Sequence, residues 1–299
     1  MLTVLYAVIP VVSWGVWLTP SQNVSVPNQQ VKTFYVAVAN LGLATFVFAA
    51  QGPAAWQELS LGTGALVFAG GVIWSLGGLC AFTATDKVGS ARAFGIWAPL
   101  NIVVSMLWGA LLFREFVRSR PYTLPLLLLA VLVIIAGVLL IIFAKGTGAV
   151  SDQNRGGFLL GLSGAIGAGV LWGSYFVPIH YAGISMWVGG LALALGMLFG
   201  SLLLAWQSHT SFRLENAQAY LRVLATGLIW GIGNYGMLQL VGALGAGRGF
   251  TIAQLSVVVN ALMGVFVLKE PTPHTRAATM TLVGCILATI GGIVLGILK

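Results

Sequence analysis

Four amide side chains lie well inside long apolar stretches of the chain, where an unpaired polar group is costly: Asn101, Asn234, Gln254 and Asn260. An amide both donates and accepts hydrogen bonds, so the four together suit a neutral ligand that carries several hydroxyl groups. Because polar side chains at membrane depth must face protein or water, we expect these amides to line one cavity. The alternative is that they join neighbouring helices by hydrogen bonds.

Aromatic side chains recur at matching places in the same stretches. Trp14 and Trp172 are each followed by glycine, Trp74 and Trp230 each lie among glycines, and Tyr175 follows Trp172 by three residues. An aromatic face can pack on the apolar C–H face of a sugar ring, or on a planar or cationic ligand. With the amides, these rings predict a binding site for a neutral polyhydroxylated solute. An aromatic amino acid would fit the same set, and this alternative stays open.

Charged side chains are informative because none falls near the middle of an apolar stretch. The six acidic residues are Glu58, Asp86, Glu115, Asp152, Glu215 and Glu270. A proton-driven or cation-exporting transporter usually places an ionisable group deep in the membrane, so their positions argue against a small cation antiporter. The candidates for gating or coupling are Arg92 and Arg248, which lie at the beginning of apolar stretches, and His180, because histidine ordinarily titrates near neutral pH.

The remaining reactive side chains predict neither an enzyme nor a metal site. Cys80 and Cys285 both lie in apolar stretches, too far apart in sequence to suggest a thiolate site, so we expect packing roles. An intramembrane enzyme would need His, Asp or Glu side chains together at membrane depth, and the sequence has no such group. A phosphate-binding Gly-x-x-x-x-Gly-Lys-Ser/Thr motif is also missing, which excludes ATP-driven transport by this chain alone.

The elements that must position these residues follow from the composition. Of 299 residues, 59% are hydrophobic and only 7% are charged, far below the quarter expected of a soluble domain. The formal net charge is +8, but basic residues this sparse mark membrane boundaries better than a nucleic-acid surface. The composition therefore excludes a soluble enzyme and a nucleic-acid binder, and it predicts a multi-pass protein of the plasma membrane.

About 20 mostly apolar residues make one membrane-spanning helix, and the chain contains ten such stretches. The first half holds residues 2–19, 33–50, 64–84, 92–113 and 122–144, and the second half holds 157–178, 184–206, 219–240, 248–267 and 276–297. The breaks between them are too short for a soluble domain. We expect one integral membrane domain, made of five-helix units over residues 1–145 and 156–299.

The two units resemble each other in sequence. The pattern Trp-Gly-x-aromatic-x-x-Pro occurs at residues 14–20 and again at 172–178, and Gly-x-Ile-Trp occurs at 71–74 and 227–230. Glycine, arginine and phenylalanine recur at the same places in segments 89–94 and 245–250. A basic residue followed by glutamate ends both the stretch from Gly109 to Glu115 and the stretch from Gly264 to Glu270. Four ordered matches at a nearly constant separation indicate an internal repeat.

Each repeat has an odd number of helices, so the second repeat enters the membrane from the opposite side. Inverted repeats of this kind are typical of secondary transporters, in which equivalent halves exchange conformations to expose a central site to either side. The basic residues favour an N-terminus outside the cell by a small margin, and the side it faces is left open. The repeats predict a secondary transporter that works by alternating access.

Two five-helix repeats in about 300 residues resemble the drug/metabolite transporter superfamily. Within that superfamily, Trp172-Gly173-Ser174 with Pro178 is similar to the glucose/ribose uptake family and its rhamnose-transporting relatives. The eighth and ninth stretches add a second motif, made of Gly227, Ile229, Trp230, Gly233, Asn234, Gly245, Thr251, Ile252, Ala253, Gln254, Leu255, Lys269 and Glu270. The resemblance implies proton coupling and a central cavity between the first, third, fourth, sixth, eighth and ninth helices.

The resemblance and the residues together favour a transporter that moves a small neutral solute, with a glucose-, ribose- or rhamnose-like sugar first. The alternative is an exporter of amino acids or other small metabolites. The expected partners are the substrate and the lipid bilayer, and no cofactor is expected. The fifth and tenth stretches are almost purely aliphatic, which fits a lipid-facing or dimer-facing place, so both a monomer and a homodimer stay open.

Overall fold

The computed structural model describes residues 2–22, 24–114, 123–144 and 155–297, and all secondary structure in those ranges is helical. Glu115 and Asp152 lie outside the described residues, as do residues 145–154, which make up most of the junction predicted between the repeats at residues 146–155. In chain order the helices are α1 Leu2–Val16, α2 Gln29–Ala50, α3 Ala54–Glu58, α4 Leu61–Val88, α5 Ser90–Leu111, α6 Thr123–Ile142, α7 Arg155–Trp172, α8 Val177–Ala182, α9 Met186–Gln207, α10 Ala217–Leu244, α11 Ala246–Ala253, α12 Ser256–Leu262 and α13 Arg276–Ile297.

Nine helical segments within the described ranges are long and apolar enough to cross a membrane. They correspond to nine of the ten predicted stretches, which makes the chain an integral multi-pass membrane protein. The tenth, predicted at residues 219–240, is also a helix, α10, and its 28 residues are ample to span a bilayer. It falls outside the nine because Asn234, Gln239 and several glycines lower its hydropathy.

Local signals in the sequence explain where the long helices begin and turn. Asn28 and Asn216 cap α2 and α10, and their side-chain oxygens accept hydrogen bonds from the Val31 and Ala219 amides at 2.8 and 2.9 Å. Gly89 and Gly245 join α4 to α5 and α10 to α11 with φ angles of +82° and +89°. Only glycine adopts such angles without strain, so each pair of helices can reverse direction within a single residue.

Three spans are broken along their length, and all three carry predicted site residues. The first ends as α1 at Val16 and continues as a short 3₁₀ turn, Thr19–Ser21, which contains Pro20. The sixth is interrupted between α7 and α8, with Pro178 in the first turn of α8. The ninth is divided into α11, α12 and a π-helical turn, Met263–Val267. Breaks of this kind are tolerated in membranes where they are buried in protein or face a cavity.

The two halves pack in equivalent ways. Helix α1 lies against α10 as α7 lies against α4, and α2 contacts α10 as α9 contacts α4. Helix α12 contacts α1 as α5 contacts α7, while α6 pairs with its counterpart α13. Because helices of one half pack mainly against helices of the other, residues of both halves form the core. The division into five-helix units of residues 1–145 and 156–299, and their opposite orientation in the membrane, stay predictions.

Candidate functional site

The broken spans surround a small cavity near the centre of the bundle, which we call the aromatic cage. It is lined by Trp14, Trp17, Phe94, Trp97, Asn101, Trp172, Tyr175, Trp230, Phe250 and Gln254. Its volume is about 20 Å³, enough for a water molecule and far below the roughly 300 Å³ of a small-molecule site. The cage is therefore closed in this conformation, and a ligand of sugar size requires its walls to separate.

Two tryptophans of the cage are oriented by equivalent hydrogen bonds across the repeats. The indole Nε1 of Trp14 donates to the Trp230 carbonyl at 3.1 Å, and that of Trp172 donates to the Trp74 carbonyl at 3.0 Å. Each indole also lies against a glycine, Gly233 for Trp14 and Gly77 for Trp172, which makes these close approaches possible. Since the protein already uses both indole N–H groups, these rings offer a ligand their faces.

The polar groups of the cage are neutral. Asn101 and Gln254 are each 2% exposed, and the Asn101 Oδ1 atom has no hydrogen-bond partner among the described residues. The Tyr175 hydroxyl donates to the Asn234 Oδ1 atom at 2.6 Å. A buried amide oxygen without a partner is costly, so a hydroxyl group that donated to Asn101 would be favoured.

Six of the nine predicted substrate-binding residues line the cage: Trp14, Asn101, Trp172, Tyr175, Trp230 and Gln254. The other three lie behind its wall. The Trp74 ring packs on Trp230 at a centroid distance of 4.8 Å, and Asn234 reaches the cage only through Tyr175. The Asn260 Nδ2 atom donates to the Gly15 carbonyl at 3.2 Å, so this amide joins α12 to α1, as in the alternative interpretation of the sequence.

Four lining residues were missing from the sequence prediction: Trp17, Phe94, Trp97 and Phe250. The internal repeat contained a signal for three of them, because Trp17 aligns with Tyr175 and Phe94 aligns with Phe250. Trp97 has no aromatic counterpart in the second repeat, but it lies one helical turn before Asn101 and so on the same face of α5.

A much larger cavity, the vestibule, opens at one end of the bundle. Its volume is about 570 Å³, within the usual range for small-molecule sites. It is lined by the start of α2, the end of α4, the start of α5 and the loop before α13, with Gln29, Lys32, Asp86, Arg92, Lys269 and Glu270 among its side chains. Polar side chains of both charges make it a water-accessible approach to the cage.

The chain that leaves α1 is anchored at the vestibule. Arg222 donates to the Pro20 and Gln22 carbonyls at 2.6 and 2.7 Å. The Gln22 amide donates to Glu270 at 2.9 Å and accepts from the Ser90 hydroxyl at 3.1 Å. These bonds connect the end of the first span to α10, to α5 and to the loop that follows the ninth span.

A chain of three contacting side chains runs from the vestibule to the cage, and we call it the throat: Lys32, Phe82 and Trp17. The Lys32 ammonium lines the vestibule and lies 4.9 Å from the centre of the Phe82 ring. Phe82 packs on Trp17 at 5.6 Å, and Trp17 lines the cage. Lys32 was not predicted, because it precedes the apolar stretch 33–50 and sparse basic residues at such places mark membrane boundaries.

The three candidates for gating or coupling lie at both ends of the bundle. Arg92 lines the vestibule and donates to the Ala144 carbonyl. His180 is at the opposite end, where its ring packs edge-on against Phe113 at 4.4 Å. Arg248 is half-buried in α11, at the place that Arg92 occupies in α5. The described residues contain no group of His, Cys, Asp and Glu side chains that could hold a metal ion.

The chain is similar to known proteins in sequence and in fold. A family model described as "Sugar transport protein" matches residues 5–298. A putative sugar uptake protein of Lactiplantibacillus plantarum is 26% identical over 300 residues, covering 99% of both chains. A probable glucose uptake protein of Priestia megaterium is 26% identical over 296 residues, 98% of both chains. A solved crystal structure shares the fold, with a TM-score of 0.61 at 18% identity over 98% of this chain and 95% of the other.

Proposed function

This chain belongs to the sugar transport protein family, and from that membership we propose that it moves a small neutral sugar by alternating access through the aromatic cage. The family is one of membrane transporters and not of enzymes. The proposal concerns the class of sugar, the place where it binds and the movement that carries it across. In the alternative, an exporter of amino acids or other small metabolites, the cage would have to accommodate one of those solutes instead of a sugar.

The observation that carries the proposal is the chemistry of the cage lining. Its walls are aromatic rings, and its polar groups are two amides and a tyrosine hydroxyl, without a charged side chain among the lining residues described. Ring faces pack on the C–H faces of a pyranose, while amides pair with its hydroxyl groups. An amino acid would bring an ammonium and a carboxylate into a site that compensates neither, which is costly in a low dielectric.

Alternating access is supported by the difference between the two cavities. The cage is too small for a sugar, whereas the vestibule at one end is of ligand size. The helices of each half contact the corresponding helices of the other half in the same way. If the two halves exchanged conformations, the bundle would therefore open at the end opposite the vestibule. The broken spans at Pro20 and Pro178 provide places where α1 and α8 can bend.

Glucose is the first sugar to test, because one relative is named a probable glucose uptake protein and others are named putative sugar uptake proteins. The full chain is purified and placed in proteoliposomes, and uptake of labelled glucose, ribose, rhamnose and an aromatic amino acid is measured. We expect saturable uptake of at least one of the sugars and none of the amino acid. Saturable amino acid transport without sugar transport would reject the proposal in favour of the alternative.

A matched pair of variants tests the place of binding. Gln254→Leu removes an amide from the cage wall, and we expect uptake to fall at least tenfold because hydrogen bonds to the sugar are lost. Gln239→Leu removes a half-buried amide on α10 that does not line the cage, and we expect it to transport as the wild type does. Equal uptake by the two variants at equal expression would place the site elsewhere.

A further inference from the structure

Lys32 is the one charged residue among the buried side chains of the described chain, with 7% of its surface exposed. It has no carboxylate within ion-pair distance there, since the one salt bridge in the described ranges joins Lys87 to Asp86 at 2.8 Å. Burying a charge without a paired opposite charge is expensive. An ionisable residue kept in such a place inside a membrane protein points to a function.

The contacts of Lys32 with the described residues leave part of its hydrogen-bonding capacity unused. Its ammonium donates one bond, to the Ser21 carbonyl at 3.2 Å. Its second contact is the face of Phe82, at 4.9 Å from the ring centre, which attracts a cation but takes the place of a carboxylate poorly. An ammonium has three N–H donors. The positive charge at the throat is therefore only partly compensated by the protein.

The position of Lys32 places this charge on the route of the substrate. Lys32 and Ser21 line the vestibule, while Trp17 lines the cage and packs on Phe82. A solute that moves between the two cavities must displace or pass these side chains. It would then pass close to the ammonium, which is 7% exposed and so only partly screened by the water of the vestibule.

The neighbouring charges do not cancel that of Lys32. The charges that act on it are those of Asp86, which attracts it, and Arg222, which repels it. Asp86 already pairs with Lys87, and Glu270, the other carboxylate of the vestibule, accepts a hydrogen bond from Gln22. Two more cations, Arg92 and Lys269, line the same cavity. The charged side chains that line the vestibule are three cations and two carboxylates, so their formal charges add to +1.

We propose that Lys32 determines specificity by charge, excluding cationic solutes from the aromatic cage while neutral sugars pass. The inference rests on the proposed function and adds a selection against cations before the solute reaches the neutral lining of the cage. Fixed cations that reject permeating cations are an established device in pores. Two unit charges about 6 Å apart, at an effective dielectric constant near 20, repel each other enough to change a rate roughly a hundredfold.

The experiment compares a sugar that the wild type transports with its 2-amino analogue, at a pH where the amine is protonated. The full chain is studied in proteoliposomes, and the measured quantity is the ratio of kcat/KM for the two solutes. We expect the wild type to prefer the neutral sugar by at least tenfold. Lys32→Met, which keeps the length of the side chain, should reduce that preference at least tenfold, while Lys32→Arg should retain it.

Arg213→Met is the matched control, since Arg213 is an exposed cation in the loop before α10 that does not line the vestibule. This loop lies at the same end of the bundle, where Tyr35 of α2 donates to the Phe212 carbonyl. This variant should keep the wild-type ratio. The inference is overturned if the wild type carries both solutes equally well, or if Lys32→Met keeps the wild-type ratio. Should Lys32→Met fail to fold, Lys32→Gln gives the same comparison. Absence of any sugar transport by the wild type would instead reject the proposed function.

Discussion

Replacing Gly77 by alanine tests whether the cage depends on the close approach of α4 and α7. A methyl group at Gly77 would lie 2.6 Å from the Trp172 Nε1 atom, whereas ordinary contact begins near 3.4 Å. The Cδ1 atom of the same ring would lie closer still, so the indole would have to retreat by at least about 0.8 Å. It has little room to do so, because the rings of Trp97, Trp17 and Trp74 surround it at 5.5, 5.7 and 5.9 Å.

The cost can be worked out from three contributions. Overpacking in a dense core costs about 1–3 kcal/mol, and loss of the bond from Trp172 to the Trp74 carbonyl costs about 0.5–1.5 kcal/mol. Alanine returns about 1 kcal/mol through its higher helix propensity. We expect Gly77→Ala to lower the free energy of unfolding by about 0.5–3.5 kcal/mol. Because the indole moves within the cage, sugar uptake should fall at least tenfold.

The assay combines thermal unfolding of the detergent-solubilised protein with uptake by proteoliposomes. Gly42→Ala is the matched control, because it lies within α2 with no atom within 4 Å of the added methyl group; it should be neutral or slightly stabilising. Adding Trp172→Phe to Gly77→Ala should recover stability by providing room, but not uptake. If Gly77→Ala behaves like Gly42→Ala in both measurements, the tight packing inferred for Trp172 is wrong.

Two further substitutions separate the cage from the amides behind it. Tyr175→Phe leaves the buried Asn234 oxygen without its 2.6 Å partner. We expect thermal unfolding to show a loss of about 1–3 kcal/mol in stability and uptake assays to show a higher KM. An unchanged KM would place the tyrosine outside the site. Asn260→Leu removes the hydrogen bond that joins α12 to α1. We expect a loss of about 1 kcal/mol in stability and a KM within twofold of the wild-type value. A large rise in KM would mean that Asn260 binds the sugar directly.

The spans were predictable because hydropathy is a local property of the chain. Each of the ten predicted stretches corresponds to helical structure, although the first, sixth and ninth are divided. Proline at residues 20 and 178 signalled two of the divisions, since proline lacks an N–H group and ends or bends helices. The division of the ninth span near Gln254 has no proline to mark it, so only the packing around it revealed the break.

The chemistry of the candidate site was predictable from the sequence, but only some of the residues that line it were. Composition indicated aromatic rings and neutral amides, and the internal repeat pointed to Trp14, Trp172 and Trp230. A mid-helix position does not say which way a side chain points, because that depends on how the helix is rotated against its neighbours. For this reason Asn260 was predicted beside Gln254, although the structure directs it towards the backbone of α1.

What the sequence by itself determined is the class of protein: a multi-pass membrane transporter with an internal repeat and a site chemistry suited to a neutral sugar. Those properties follow from residue types and their spacing along the chain. Only the tertiary structure decided that the cage is closed, that the vestibule lies at one end, and that Lys32 is buried between them. Burial of a charge depends on residues distant in sequence, here Ser21 and Phe82, and no local pattern records which of them will meet.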